Sequence, residues 1–306
     1  MTLPITGIAT FGRYPLCDDL DNIQAEVGIL GAPSDIGVGF LSGTRLGPRR
    51  IREASTQYGR GEVGFYDPER DETYLAGKNN IVDCGDAPLV QGDLKATLSN
   101  IENCVRKIAA SDTLPVVLGG DHSISIPVAQ ALDKYENLTV IQIDAHLDWT
   151  DSRDGQKYGN GSPLRRMSEM SHIGDIVQIG LRGMGSSRKE DYEDARDYGC
   201  QLISAQEAKT MDVDTLMDRI PDFENCFVTI DIDGLDISIA PGTGSPSPGG
   251  LSFEWLIEFL EGISKKGNVA GFDLVEVAPQ YDPTDTTTRT ASLVILNFIA
   301  FILKNR

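Results

Sequence analysis

The stretch Leu138-Thr-Val-Ile-Gln-Ile-Asp144-Ala-His146-Leu-Asp148 decides how this chain is read. Its first half, Leu138–Ile143, is a mostly apolar run of strand length bounded by polar residues, which suits a strand buried in a parallel sheet. Its second half carries Asp144, His146 and Asp148 at every second position. On an extended backbone such positions point to one face. A strand ending this way ends in metal-ligand chemistry.

Two further segments repeat the pattern. Leu114-Pro-Val-Val-Leu118 runs into Gly119-Gly-Asp-His122-Ser123, and Phe227-Val-Thr-Ile230 runs into Asp231-Ile-Asp233. The chain has three histidines, and two of them lie in these clusters. Taken singly, Asp-x-Asp is common in turns, and Gly-Gly-Asp-His can cap a helix or cradle a phosphate. Together, His122, Asp144, His146, Asp148, Asp231 and Asp233 can hold two divalent cations if they converge at one sheet edge. Carboxylate with imidazole suits Mn²⁺ first and Ni²⁺ as an alternative, whereas thiolate sites look different. Two cations about 3.5–4 Å apart can share a water and convert it to hydroxide at neutral pH.

Outward from these clusters, apolar runs alternate with amphipathic stretches. Strands are expected at Val27–Leu30, Ile81–Val82, Pro115–Leu118, Leu138–Ile143, Ile176–Ile179, Cys226–Ile230 and Val269–Leu274. Helices are expected at Pro48–Ser55, Asp93–Ala110, Ile124–Tyr135, Val213–Arg219, Phe253–Lys265 and Thr290–Leu303, with Asp93 and Ser252 as N-caps. This alternation favours an α/β fold with a mostly parallel central sheet covered on both faces. No linker divides the chain, so residues 1–306 are expected to form a single domain. Ligands of open α/β sheets bind beyond the carboxyl ends of the strands, where all three clusters fall. The Gly- and Pro-rich segment 240–250 follows the third cluster and reads as an ordered site loop.

Composition narrows the class. With 27 basic and 46 acidic residues the net charge is −19, which excludes the basic footprint of nucleic-acid binding. It suits a cationic small substrate and equally a plain solubilising surface. No unbroken apolar run reaches the roughly 18 residues of a membrane span, and the first residues lack a secretory pattern. The five cysteines are scattered, with no Cys-x-x-Cys pair, so buried or incidental thiols and a reducing cytoplasm are expected.

The chain resembles the ureohydrolase family, which includes arginase, agmatinase, guanidinobutyrase and proclavaminate amidinohydrolase, and is nearest in character to the agmatinase- and guanidinobutyrase-like members. The matching motifs are the three clusters, with Asp231-Ile-Asp-Gly-Leu-Asp236 running into Ala240-Pro-Gly-Thr-Gly244. Gly47-Pro-Arg-Arg-Ile-Arg52, Val177-Gln-Ile-Gly-Leu-Arg182 and Val275-Glu-Val-Ala-Pro-Gln-Tyr-Asp282 match too. They occur in family order across roughly residues 27 to 300.

The resemblance implies an arginase-like three-layer α/β/α sandwich with a binuclear, usually manganese, centre. His122, Asp144, Asp148 and Asp231 would hold one metal. Asp144, His146, Asp231 and Asp233 would hold the other, with Asp144 and Asp231 bridging. The implied reaction cleaves a guanidino compound to urea and an amine through attack of metal-bound hydroxide on the guanidinium carbon. Glu276 matches the carboxylate that pairs with the substrate guanidinium in a charge-assisted fork. Asp236 is expected to form a turn or support the ligands. A homo-oligomer, trimer or hexamer, is implied, and a paralogous subunit is a possible partner.

The chain departs from the family in one loop. Where many members carry a proton-shuttling histidine, Lys157-Tyr-Gly-Asn160-Gly-Ser-Pro163 places Asn160. An amide orients but does not relay protons near neutral pH. Asn160 therefore points to an altered substrate, to a non-catalytic or partner-dependent paralogue, or to a tolerated change. Another metal-dependent amide or amidine hydrolase on the same fold is the remaining alternative. Trp149 is a possible pocket wall or a core indole. Arg165 and its neighbour Arg166 would favour a guanidino acid if they faced the pocket, and a neutral or cationic guanidine if they faced away. His172 is expected on a surface loop.

Overall fold

The computed structural model describes residues 3–59, 61–77 and 80–306. Its strands in chain order are β1 Val27–Ala32, β2 Phe65–Asp67, β3 Glu72–Tyr74, β4 Ile81–Asp86, β5 Leu114–Gly119, β6 Leu138–Ile143, β7 Ile173–Leu181, β8 Gln201–Ser204, β9 Asn225–Asp231 and β10 Asn268–Val275. Its α-helices are α1 Gly47–Ser55, α2 Leu94–Ala110, α3 Ser125–Ala131, α4 Pro163–Met167, α5 Lys189–Tyr198, α6 Ala205–Thr210, α7 Val213–Arg219, α8 Phe253–Lys266 and α9 Thr286–Asn305.

Eight strands form one sheet in the order β4-β1-β5-β10-β9-β6-β7-β8. Every neighbouring pair is parallel. Strands β2 and β3 form a separate antiparallel hairpin. Strands β5 and β6 are buried from end to end, as parallel strands covered on both faces are. On one face Leu114, Val116 and Leu118 meet α1 and α6–α9. On the other, Val117, Leu138 and Val140 meet α2–α5. This is the expected three-layer sandwich.

Local chemistry sets the helix starts. The Asp93 carboxylate accepts from the Ala96 amide at 2.9 Å at the head of α2, and Ser252 Oγ accepts from the Trp255 amide at 3.2 Å at the head of α8. Each satisfies an orphan N–H of the first turn. Other expectations need correction. The helix expected over Ile124–Tyr135 is only Ser125–Ala131, preceded by a 3-10 turn at His122–Ile124. Asp121 caps that turn, accepting from the Ser123 amide at 2.8 Å. The hairpin, β8 and α4–α6 escaped the periodicity reading because they are short or, like Lys189–Tyr198, mostly polar.

Helix α9 starts four residues before the expected Thr290 and, at 20 residues, is long and apolar enough by composition to cross a membrane. Interleaved Ser292 and Asn297 hid this from a search for unbroken apolar runs. Its Val294, Ile295, Phe298, Ile299 and Ile302 are nevertheless core residues of this fold. The five cysteines are unpaired, and Cys84, Cys200 and Cys226 are buried.

Chain order and sheet order part company at the centre. Strand β10 inserts between β5 and β9, and β9 lies between β10 and β6. The three acidic clusters and Glu276 therefore follow four adjacent strands, β5-β10-β9-β6, all running the same way. They emerge along one edge, at the crevice where such sheets bind ligands.

Candidate metal centre at the carboxyl edge of the sheet

Beyond β5, the turn Gly119-Gly120-Asp121-His122 must pass close to the loop after β1. A Cβ at Gly120 would overlap the Ser34 carbonyl oxygen, so only glycine fits. The turn delivers a buried His122. Its Nε2 lies 2.9 Å from the Thr229 hydroxyl of β9, which aims Nδ1 at the carboxylates. Nδ1 is 2.9 Å from Asp148 Oδ2, 3.1 Å from Asp144 Oδ2 and 3.3 Å from Asp231 Oδ2.

A second cluster adjoins the first. His146 Nδ1 lies 3.1 Å from Asp233 Oδ2 and 3.4 Å from Asp144 Oδ1. The ligand atoms of His122, Asp144 and Asp231 lie within 4.8 Å of one another, as do those of Asp144, His146 and Asp233. Asp144 belongs to both groups. The backbone amides of His146 and Asp233 donate to Asp144 Oδ1 at 2.6 Å and Asp231 Oδ1 at 2.9 Å, and the Ala145 amide donates to Asp233 Oδ1 at 3.1 Å. These bonds orient the carboxylates before any cation arrives.

The donor set fits two divalent cations. Among the described residues, His122 Nδ1 is a buried polar atom with no hydrogen-bond partner in good geometry, although three carboxylates face it. The electrostatics agree. Burial, then repulsion from Asp144, pushes Asp148 up to about 6. Burial followed by the neighbouring carboxylates raises Asp231 well above the ordinary range. Asp144 is held low against its burial by the two imidazoles. The His146 ring is raised to about 12 because Asp233 and Asp144 overcome its desolvation. Four crowded carboxylates with neutral imidazoles balance the charge of two divalent cations.

Glu276 closes the site from β10. Its Oε1 accepts from the His122 amide at 2.9 Å and from Asn160 Nδ2 at 3.2 Å. Burial, then the Asp121 carboxylate, pushes its carboxyl up to about 8. A cation arriving beside it would draw that value back down. Glu276 and Asp148 have φ of 63° and 50°, in the left-handed region. Such strain at non-glycine residues concentrates where function demands it. Asn160 is tethered to the loop after β1, its amide donating to the Gly37 carbonyl at 3.0 Å.

Not every candidate joins the site. The Trp149 indole is 2 % exposed, packs in the α2–α5 layer and donates through Nε1 to Asp194 Oδ2 at 2.8 Å. The Arg165 guanidinium pairs with the same Asp194 and with Glu169. Arg166 pairs with Asp151 and Glu169. Trp149 is thus the core indole and not a pocket wall, because its neighbour Asp148 takes the face toward His122. Arg165 does not serve as a pocket cation. His172 bonds the Ala129 carbonyl through Nε2 at 3.0 Å, apart from the site.

Asp236 is a turn former. Its carboxylate accepts from the Ser238 hydroxyl at 2.7 Å and from the amides of Ser238, Gly249 and Gly250, each at 3.0 Å, and these bonds hold it down at about 2. Arg182 donates to the carbonyls of Asp233, Leu235 and Ser247. Between them they order the 240–250 loop, as expected. Sequence reasoning singled out neither Arg182 nor Thr229 as a support. Thr229 was findable, since it lies two residues before Asp231 on the same strand face.

The fold and the site together define a metal-dependent α/β hydrolase with paired cation positions. Residues 25–300 match the family model described as Arginase family. The chain is 36% identical over 274 residues to the agmatinase of Bacillus anthracis, covering 88% of this chain and 89% of that protein. It is 33% identical over 289 residues to the guanidinobutyrase of Pseudomonas aeruginosa, covering 92% and 88%. The proclavaminate amidino hydrolase from Streptomyces clavuligerus has a similar structure, with a TM-score of 0.86 at 29% identity over 100% of both chains. The chain belongs to the arginase family.

Proposed function

We propose that this protein hydrolyses a small guanidino compound to urea and an amine, working as one catalytic unit over residues 1–306. The observation that carries this is the convergence of His122, His146 and four aspartates on adjacent strand ends, with Asp144 in both clusters and Glu276 beside them. Bound there, two divalent cations would supply the Lewis acidity that makes water a nucleophile at neutral pH. Mn²⁺ is the first choice for this donor set and Ni²⁺ the second.

The residues divide the remaining work. Glu276 pairs with the guanidinium and holds its carbon toward the cations. Asn160 and the His122 amide fix the Glu276 carboxylate. The buried walls exclude bulk water from the inner cluster, while the partly exposed His146 marks the side open to substrate.

The amine portion of the substrate carries no carboxylate. Arg165 and Arg166 are both occupied by acidic partners away from the centre. With a net charge of −19, the protein suits a cationic or neutral guanidine better than a guanidino acid. The complete donor set speaks against a non-catalytic paralogue. A homo-oligomer, trimer or hexamer, fits the exposed apolar side chains Ile5, Ile8 and Phe40, and light scattering of the purified protein tests it. A cytoplasmic setting accords with the unpaired cysteines.

The test is urea release from protein reconstituted separately with Mn²⁺ and Ni²⁺. The panel is agmatine, 4-guanidinobutyrate, arginine, guanidine, alkylguanidines and biguanides. Urea from a panel member without a carboxylate is expected. Urea only from 4-guanidinobutyrate or arginine would overturn the substrate reading. No urea from any member, with both metals verifiably bound, would overturn the reaction.

A further inference from the structure

Gln142 of β6 and Gln178 of β7 face each other in register across the parallel pair, and both are fully buried. Two buried amides in a sheet lined with valine, isoleucine and leucine are costly unless hydrogen-bonded. Here they are linked in series. Gln142 Nε2 donates to Asp144 Oδ2 at 2.6 Å, and Gln178 Nε2 donates to Gln142 Oε1 at 2.5 Å and to the Leu147 carbonyl at 2.6 Å. An ionised carboxylate and a backbone carbonyl end this series, and both only accept. The sense of each amide is thereby fixed, because flipping either would set oxygen against oxygen.

The series closes a loop around the ligand segment. It runs from Asp144 through Gln142 and Gln178 to Leu147, the residue between His146 and Asp148. Asp144 Oδ2 receives Gln142 and faces His122, while Oδ1 receives the His146 amide and faces the His146 ring. One amide donor on each oxygen clamps the carboxylate common to both clusters. Packing does not account for the pair, because an apolar residue would fill the same space. Gln178 Oε1 is also left buried without a partner among the described residues, which is unfavourable.

We infer that Gln142 and Gln178 are positioning residues of the metal centre: they set the orientation of Asp144 and the spacing of residues 144–148, and so the affinity for the paired cations. The inference rests on the two-cation reading. Neither side chain touches substrate.

The test compares the full-length protein with Gln142→Leu, Gln178→Leu and the double variant. Each is stripped with chelator and titrated with Mn²⁺, following affinity and stoichiometry by calorimetry and coupling between the ions by electron paramagnetic resonance. Wild type is expected to bind two ions with a coupled spectrum. Gln142→Leu is expected to bind about 10–100-fold more weakly, the range typical of partners behind a ligand, with uncoupled Mn²⁺ in the spectrum. Gln178→Leu should lose less. The double variant should be no worse than Gln142→Leu, because residues acting in series are not additive. Where Gln142→Leu does not fold, Gln142→Met keeps the side-chain length without the amide and carries the same comparison. Unchanged affinity and coupling, with only a lower melting temperature, would make the pair merely structural and overturn the inference while the two-cation reading stands. A wild-type protein that binds no paired ions would overturn both.

Discussion

The two halves of the centre differ in how they are held. The inner cluster is built on His122, whose side chain is 1% exposed, with Thr229 behind its ring and the Glu276 carboxylate on its backbone amide. The outer cluster is built on His146, whose side chain is 24% exposed. The inner half is part of the fold's packing, whereas the outer half is a ligand loop at the mouth. Metal binding and fold stability should therefore be coupled more tightly on the inner side than on the outer.

Asp144→Ala breaks the comparison outright, because Asp144 serves both halves. Urea release should fall by well over about 100-fold, since even partners behind a ligand cost about 10–100-fold, and metal analysis should find neither cation retained. Full activity would sink the two-cation reading. Next in size is the contrast of His122→Ala with His146→Ala. Both should lose activity and one equivalent of metal. His122→Ala should also be the less stable of the two in the metal-free state, by about 1–3 kcal/mol, because it leaves more buried polar groups unpaired. Equal melting of the two variants would erase the distinction between the halves.

Asn160→His probes the substrate side of the centre, where Asn160 holds Glu276. The new imidazole could relay a proton, an effect worth about 100-fold or more. Measured as kcat and KM across the guanidine panel, it should shift preference toward agmatine or 4-guanidinobutyrate. An unchanged panel would make Asn160 incidental. The smallest effect is expected at Asp236, beside the centre but outside both halves. Its folded pKa is depressed to about 2, so its contribution is complete above the ordinary carboxylate range and lost as pH falls toward about 2. Asp236→Asn should therefore cost on the order of 1 kcal/mol near neutrality, trimmed by solvent screening. The gap between the two melting curves should close in acid, and a gap that widened there would reverse the sign.

Much of this is legible in the chain itself. The β6 boundaries at Leu138 and Ile143 were read as found, because a buried parallel strand announces itself by an apolar run. The Asp93 and Ser252 caps followed from local hydrogen-bond chemistry. The role of Gln142 was not legible. Its partner Gln178 is remote in sequence, and a polar residue inside an apolar run gives no sign of what it faces. Trp149 and Arg165 were ambiguous for a related reason. Neighbours of a ligand can turn to either side once the strand has ended, and Asp194 of α5 decided it.

The sequence by itself determined the donor types, their every-second-residue spacing and the strand each one follows, because local periodicity is written in adjacent residues. Only the tertiary structure decided that β10 enters between β5 and β9, bringing Glu276 onto His122, and that Asp144 is common to two clusters. Strand order depends on crossovers and layer packing among distant segments, and no local pattern encodes it.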